Sequence, residues 1–99
     1  MRWKVDYEAQ IAKQIRDQIQ AGLLTAEDLR LLTQWVVEIE ENGLGSVQNE
    51  KWNDHPLDGE WRGHRSAAFS NAGRVIYREE NGRLIVTVIR ITATHDYRR

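Results

Sequence analysis

Ninety-nine residues, 40% of them apolar, are enough for one hydrophobic core and too few for two, so residues 1–99 are read as a single domain. With no cysteine, disulfide staples and thiolate metal sites are excluded, and no run approaches the roughly 20 apolar residues that cross a bilayer; a soluble, cytoplasmic protein with no membrane partner is expected. The net charge of -1 argues against a generic nucleic-acid binder.

Arg2 to Tyr7 alternates, with Trp3, Val5 and Tyr7 on one side, and predicts a short strand. From Glu8 the spacing changes to four, with Ile11, Ile15 and Ile19 on one stripe of an amphipathic helix that ends near Gly22. Thr25, followed by Ala26, Glu27 and Asp28, is a helix cap with two acids at the positive end of the dipole. Leu29, Leu32, Val36 and Ile39 then recur at helical spacing, widened by Leu31 and Trp35, until Glu41-Asn42-Gly43 stops the helix. With only Leu23 and Leu24 between them, the two helices form a hairpin on one side of the sheet that follows.

Residues 43–60 are rich in Gly, Asn, Asp and Glu, contain the sole proline, Pro56, and predict a loop with a short strand or turn around Val47. His64 to Phe69, Arg74 to Arg78 and Leu84 to Thr92 are strand-like, the last being the longest and most branched and so expected to lie centrally. Asn71 to Gly73 and Glu80 to Gly82 supply the turns. The order strand, helix, helix, strand, strand, strand predicts an α+β fold: an N-terminal helical hairpin packed on a curved antiparallel sheet that closes in a three-stranded meander.

Charge divides along the chain. Residues 1–60 carry six Lys or Arg against twelve Asp or Glu, whereas residues 61–99 carry eight Arg, no Lys and three acids. A guanidinium presents a fixed fork that matches phosphate oxygens, so an arginine-only basic half favours phosphate contact; ion pairs with the acidic half are the competing explanation. Alternation puts Arg74 and Arg78 on one face of their strand, and in the preceding strand sets His64 and Ser66 opposite Arg65. Arg90 lies near the end of the long strand, His95, Tyr97, Arg98 and Arg99 close the chain, and His55 precedes Pro56 in the loop.

Imidazoles and arginines without a carboxylate-rich metal site suit RNA cleavage that needs no metal or cofactor. One group takes the proton of the 2'-hydroxyl, arginines offset charge on the phosphate, and an acid protonates the leaving 5'-oxygen. Each residue has a plainer alternative. His55 could cap a turn, Arg74 could pair with Glu79 or an acid of the first half, His95 could tie down the tail, and Tyr97 could lid the core. Trp3, Trp35 and Trp61 are expected in the core or an interface, whereas Trp52, between Lys51 and Asn53 in a polar loop, is expected to be exposed.

From Asp54 to Tyr77 the chain resembles the RelE/ParE toxin superfamily of type II toxin–antitoxin systems, and within it the YafQ and YoeB-like mRNA interferases. Asp54-His55-Pro56-Leu57, Gly59, Trp61-Arg62-Gly63-His64-Arg65 and Val75-Ile76-Tyr77 resemble the YafQ pattern, as does the late pair Thr94-His95. The resemblance implies a RelE-like fold and ribosome-dependent cleavage of translated mRNA in the A site, leaving a 2',3'-cyclic phosphate. It also implies the ribosome, mRNA and a cognate antitoxin as partners, in a higher-order toxin–antitoxin complex.

By the same resemblance His55 matches the loop histidine of the YafQ-like site, His95 the late histidine shared with YoeB, and Arg74 the phosphate-binding arginine of RelE and YoeB. Tyr97 stands near the C-terminal aromatic at a different offset. Arg65, Arg78, Arg90, Arg98, Arg99 and Trp52 are the expected RNA contacts. Where YafQ has an aspartate and a histidine on the second strand, this chain has Ser66 and Ala68, and His64 replaces a tyrosine. Because the scaffold also hosts ParE-like gyrase inhibitors, a gyrase inhibitor and a noncatalytic binding member remain the alternatives.

Overall fold

The computed structural model describes residues 2–80 and 85–93. A short strand, β1 (Lys4–Tyr7), leads into helices α1 (Ile11–Gln20) and α2 (Ala26–Asn42). The start of α2 is set locally. The Thr25 hydroxyl accepts from the Asp28 N–H at 3.2 Å while the Asp28 carboxylate accepts from the Thr25 N–H at 2.8 Å, the reciprocal cap its sequence predicts. The Ser70 hydroxyl, and after it the Thr25 cap, hold the Asp28 carboxyl below the usual carboxylate range, which ties the helix start to a turn far along the chain. α2 ends at Gly43, where φ is +90° and the Trp3 indole lies 3.2 Å from the place a Cβ would take. Leu32, Trp35 and Ile39 are buried on its inner face, with Leu29 and Val36 packed beside them.

Residues 43–60 hold more structure than a loop. Short 3-10 turns at Leu44–Val47, Glu50–Trp52 and Gly59–Trp61 surround a two-residue strand, β2 (His55–Pro56). Strands β3 (Arg65–Ala68), β4 (Gly73–Glu79) and β5 (Ile85–Ala93) follow, and the sheet order is β1-β5-β4-β3-β2. The antiparallel β3–β4–β5 pairing is the predicted meander; Asn81 and Gly82 of its second predicted turn lie outside the described residues. The sheet is mixed rather than wholly antiparallel, because β1 lies parallel to β5. β5 is flanked on both sides, while β4 holds the middle of the sheet. The β3–β4 turn closes on Gly73, where an added Cβ would stand 2.1 Å from the Phe69 ring, so only glycine lets that ring pack there.

β1 pairs with β5 only from Ile85 to Val88. Beyond that point the side chain of Gln10, which caps α1, and two side chains of α1 itself replace a strand. Gln10 donates to the Ile89 carbonyl at 3.0 Å, and Gln14 accepts from the Ile91 N–H at 2.9 Å. Gln18 donates to the Ile91 carbonyl at 2.7 Å and accepts from the Ala93 N–H at 2.6 Å. Four helical residues rise about 6 Å and two strand residues about 6.7 Å, so glutamines at helical spacing keep step with alternate residues of the strand. This is why Gln18 is buried, while Ile19, on the stripe predicted to face the core, is 43% exposed.

The β4–β5 register slips at Ile89: Ile76 pairs with Arg90, but Tyr77 pairs with Val88. The extra residue reverses the alternation of β5, so Val88 and Ile91 both enter the core and Arg90 lies on the other face.

Candidate functional site

Ala67, Val75 and Tyr77 join the core under the helices. Their neighbours therefore lie on the face turned away from the helices, and cross-strand register completes it. His55, Ser66, Ile76 and Arg90 form one row across β2 to β5, and Ala68, Arg74 and Thr92 form the next. Two strand spacings and two residues separate His55 from Arg74, about 12 Å between Cα atoms by ideal sheet dimensions. Between and beside them on this face Ser66, Ile76 and Thr92 are buried, whereas His55 is exposed.

His55 is exposed on the edge strand, and its ring is held from behind. Nδ1 lies 2.9 Å from the Asn53 carbonyl oxygen, which can only accept, so Nδ1–H donates. Asn53 is left-handed, with φ of +50°, and closes the 3-10 turn through its N–H to the Glu50 carbonyl at 3.0 Å. The next residue, Asp54, has a side chain with no exposed surface. Its carboxylate accepts from Arg65 Nε at 2.6 Å and from the Tyr77 hydroxyl at 2.5 Å, and the Tyr77 oxygen accepts in turn from Gln48 at 3.3 Å. Burial first, and then the hydrogen bond to Asp54, push the Tyr77 phenol far above the usual tyrosine range, so it stays a donor. For Arg65, burial works against the charge but is outweighed by the Asp54 hydrogen bond and charge, which raise its pKa.

The Arg74 guanidinium curls back over the β3–β4 turn. Its Nη1 donates to the carbonyls of Ser70 at 3.0 Å, Gly73 at 3.0 Å and Asn71 at 3.4 Å. No carboxylate among the described residues pairs with it, so the weighed ion pair with Glu79 is not formed. Arg90 is exposed and likewise without an ion pair among the described residues. Arg65 and Arg78, both expected at RNA, make ion pairs with carboxylates. Arg78 reaches Glu8 at 3.5 Å and Glu80 at 3.2 Å, and Glu80 also accepts from Thr87 at 2.7 Å. Ion pairing between the acidic and basic halves thus accounts for part of the arginine excess.

His64 is half-buried, edge-on to Trp61 with ring centroids 5.5 Å apart, and its Nδ1 lies 3.4 Å from the Arg62 carbonyl oxygen. Leu57 N–H donates to the His64 carbonyl at 3.0 Å, which extends the β2–β3 pairing and sets His64 diagonally from His55. His64 lines a cleft of about 320 Å³ together with Gln48, Leu57, Tyr77 and Arg78. The expectation of an exposed Trp52 is corrected: it is 7% exposed and belongs to the core cluster, because the Glu50–Trp52 turn folds it inward and leaves Lys51 Nζ 5.3 Å from its ring. His95, Tyr97, Arg98 and Arg99 lie outside the described residues; β5 ends at Ala93, opposite Gly73 and next to Arg74. Among the described residues no three His, Asp or Glu side chains converge as a metal site, and no helix is long and apolar enough to cross a membrane. Asp54 and Asn53 are the site residues that sequence reasoning missed; an acid directly before the histidine and an asparagine, which tolerates the left-handed region, were the available signals.

No protein-family model matches this sequence, and no curated protein is similar to it in sequence. Solved structures, however, match along nearly the whole chain. YafQ from E. coli strain BL21(DE3) is 20% identical with a TM-score of 0.67, over 96% of this chain and 97% of that one. The toxin–antitoxin complex RelBE2 of Mycobacterium tuberculosis matches at 17% identity and a TM-score of 0.67, over 94% and 99%. A metal-bound toxin from Helicobacter pylori matches at 16% identity and a TM-score of 0.70, over 95% and 97%. At these identities the likeness is one of fold, and the chain has the RelE-like fold that its Asp54–Tyr77 motifs imply.

Proposed function

We propose that this chain is the toxin of a type II toxin–antitoxin pair and a ribosome-dependent mRNA interferase. One observation supports the reading: on the sheet face away from the helices, an exposed imidazole, His55, and a guanidinium unpaired with any described carboxylate, Arg74, lie in adjacent cross-strand rows two strands apart. Messenger RNA in the ribosomal A site lies along that face. His55 Nε2 takes the proton of the 2'-hydroxyl, and the 2'-oxygen attacks phosphorus. Arg74 holds the non-bridging oxygens and offsets the charge of the pentacoordinate state. His95, aided by Tyr97 or His64, gives a proton to the departing 5'-oxygen, leaving a 2',3'-cyclic phosphate and a 5'-hydroxyl. Arg90, Arg98 and Arg99 hold the RNA backbone, with lesser contributions from the exposed parts of Arg65 and Arg78. The ribosome orients the substrate, which is where a site this sparse gains much of its rate. The RelBE2 structure is a toxin with its antitoxin; an antitoxin of this chain would cover the Arg74–Arg90 face with acidic residues, in a higher-order complex.

The test is induced expression in cells, followed by primer extension on a translated and an untranslated copy of one message. Codon-positioned breaks on the translated copy alone are expected; intact transcripts, or equal breaks on both copies, contradict the reading. A specific feature favours a second reading. Ser66, 3% exposed, and Ala68 stand where YafQ-like toxins carry proton-transfer groups, as they would in a noncatalytic binding member or a ParE-like gyrase inhibitor. In that case a His55→Ala/His95→Ala double variant still arrests growth, with transcripts intact.

A further inference from the structure

A two-residue strand at a sheet edge has one neighbour and little pairing of its own, yet His55 sits on such a strand. What fixes it lies immediately before it in sequence. The Asp54 carboxylate, without exposed surface, reaches past β2 to Arg65 on β3 and Tyr77 on β4, and these two are themselves cross-strand partners in the row next to that of His55. The anchor spans three strands. On the same stretch, the left-handed backbone of Asn53 aims its carbonyl at the ring two residues on.

That carbonyl determines which nitrogen is bare. A carbonyl oxygen has only lone pairs, and a neutral imidazole has one N–H, so a hydrogen bond from Nδ1 leaves Nε2 unprotonated. Free histidine in water prefers the opposite tautomer, with the proton on Nε2. We infer that Asn53, Asp54, Arg65 and Tyr77 act as a positioning unit that holds the His55 ring with Nε2 as its free basic nitrogen. The consequence for rate rests on the nuclease reading, but the geometry does not. In the cleavage step the 2'-hydroxyl proton moves to Nε2, and the Nδ1–H bond to Asn53 is kept throughout, its carbonyl dipole facing the imidazolium that forms.

The experiment is long-range proton–nitrogen correlation NMR of the full chain with labelled histidine, the His55 signals being assigned by their loss in His55→Gln. At a pH where the ring is neutral, Nδ1 is expected to give a protonated signal and Nε2 a bare one. Asp54→Asn is expected to return His55 to the tautomer mixture of free histidine, and Tyr77→Phe to do so in part, which keeps the test available if the first variant does not fold. Asn53→Gly, which accepts a φ of +50°, retains the wild-type signature, whereas Asn53→Val loses it. A core variant such as Leu32→Ala lowers stability and leaves the tautomer alone, separating positioning from general loosening. Asp54→Asn also lowers the turnover of message cleavage about 10- to 100-fold at little changed KM. A wild-type His55 carrying its proton on Nε2, or an unchanged tautomer in Asp54→Asn, overturns the inference. An intact tautomer pattern without any message cleavage overturns the nuclease reading and leaves the positioning unit standing.

Discussion

Arg65, the first residue of β3, and Arg74, the second of β4, are both half-buried, but they have opposite fates. The first meets a carboxylate with no exposed surface; the second meets three backbone carbonyls. A carboxylate neutralises the guanidinium and makes it part of the scaffold, whereas carbonyls fix its direction and leave its charge for an anion to satisfy. Arginine content therefore says little about phosphate binding until each guanidinium's partner is known. Arg78, held by Glu8 and Glu80, falls on the scaffold side with Arg65, while Arg90 stands with Arg74.

The sharpest way to break this contrast is Arg65→Met. It strips the only described cation from buried Asp54 and should cost about 3 kcal/mol of unfolding free energy, measured by urea titration. Adding Asp54→Leu should lose less than the single change, because no uncompensated carboxylate then remains. Arg74→Ala should behave in the opposite sense. Its turn carbonyls can turn to water, so stability falls by only about 1 kcal/mol, while message cleavage falls about 100-fold; Arg74→Lys, which keeps charge but loses the fork, lies between.

A pH titration separates the scaffold side further. Tyr77 has its pKa raised from 10.0 by burial and then by Asp54, so folding favours its neutral form. Its stabilisation is complete below pH 10 and is lost as the pH climbs through the raised value of the folded state. Urea midpoints should therefore decline on the alkaline side, and Tyr77→Phe should flatten that decline. Tyr7, raised by burial and then by Glu40, acts in the same direction. The smallest effect is expected from Arg90→Ala. Stability should shift by no more than about 0.5 kcal/mol, with weaker binding to message whose salt dependence is reduced.

Much of this architecture is legible where the chemistry is local. Thr25 and Asp28 bracket the start of α2 within four residues, and Gly43 marks its end. The parity that puts Arg74 on a different face from Tyr77 needs only alternation. What cannot be read is whatever depends on a distant strand. Gln10, Gln14 and Gln18 look like the polar side of α1, and become structural only because β1 stops short of the end of β5. The bulge at Ile89 breaks an alternation that the sequence leaves uninterrupted. Trp52 sits among polar residues and is buried by a turn they form, and Asp54, an acid in a polar loop, is desolvated only once β3 and β4 bring Arg65 and Tyr77 to it. Within the candidate site, therefore, the groups that would touch RNA are visible in the sequence and the groups that hold them are not.

The central claim is that His55 and Arg74 work on one phosphodiester. It is tested most directly by cleavage rates of a ribosome-bound message with the wild type, His55→Gln, Arg74→Ala and the double variant. Groups acting as a unit should give a double variant hardly slower than the worse single one. Single variants that cut as fast as the wild type, or losses that multiply in full as for two independent sites, would contradict the account.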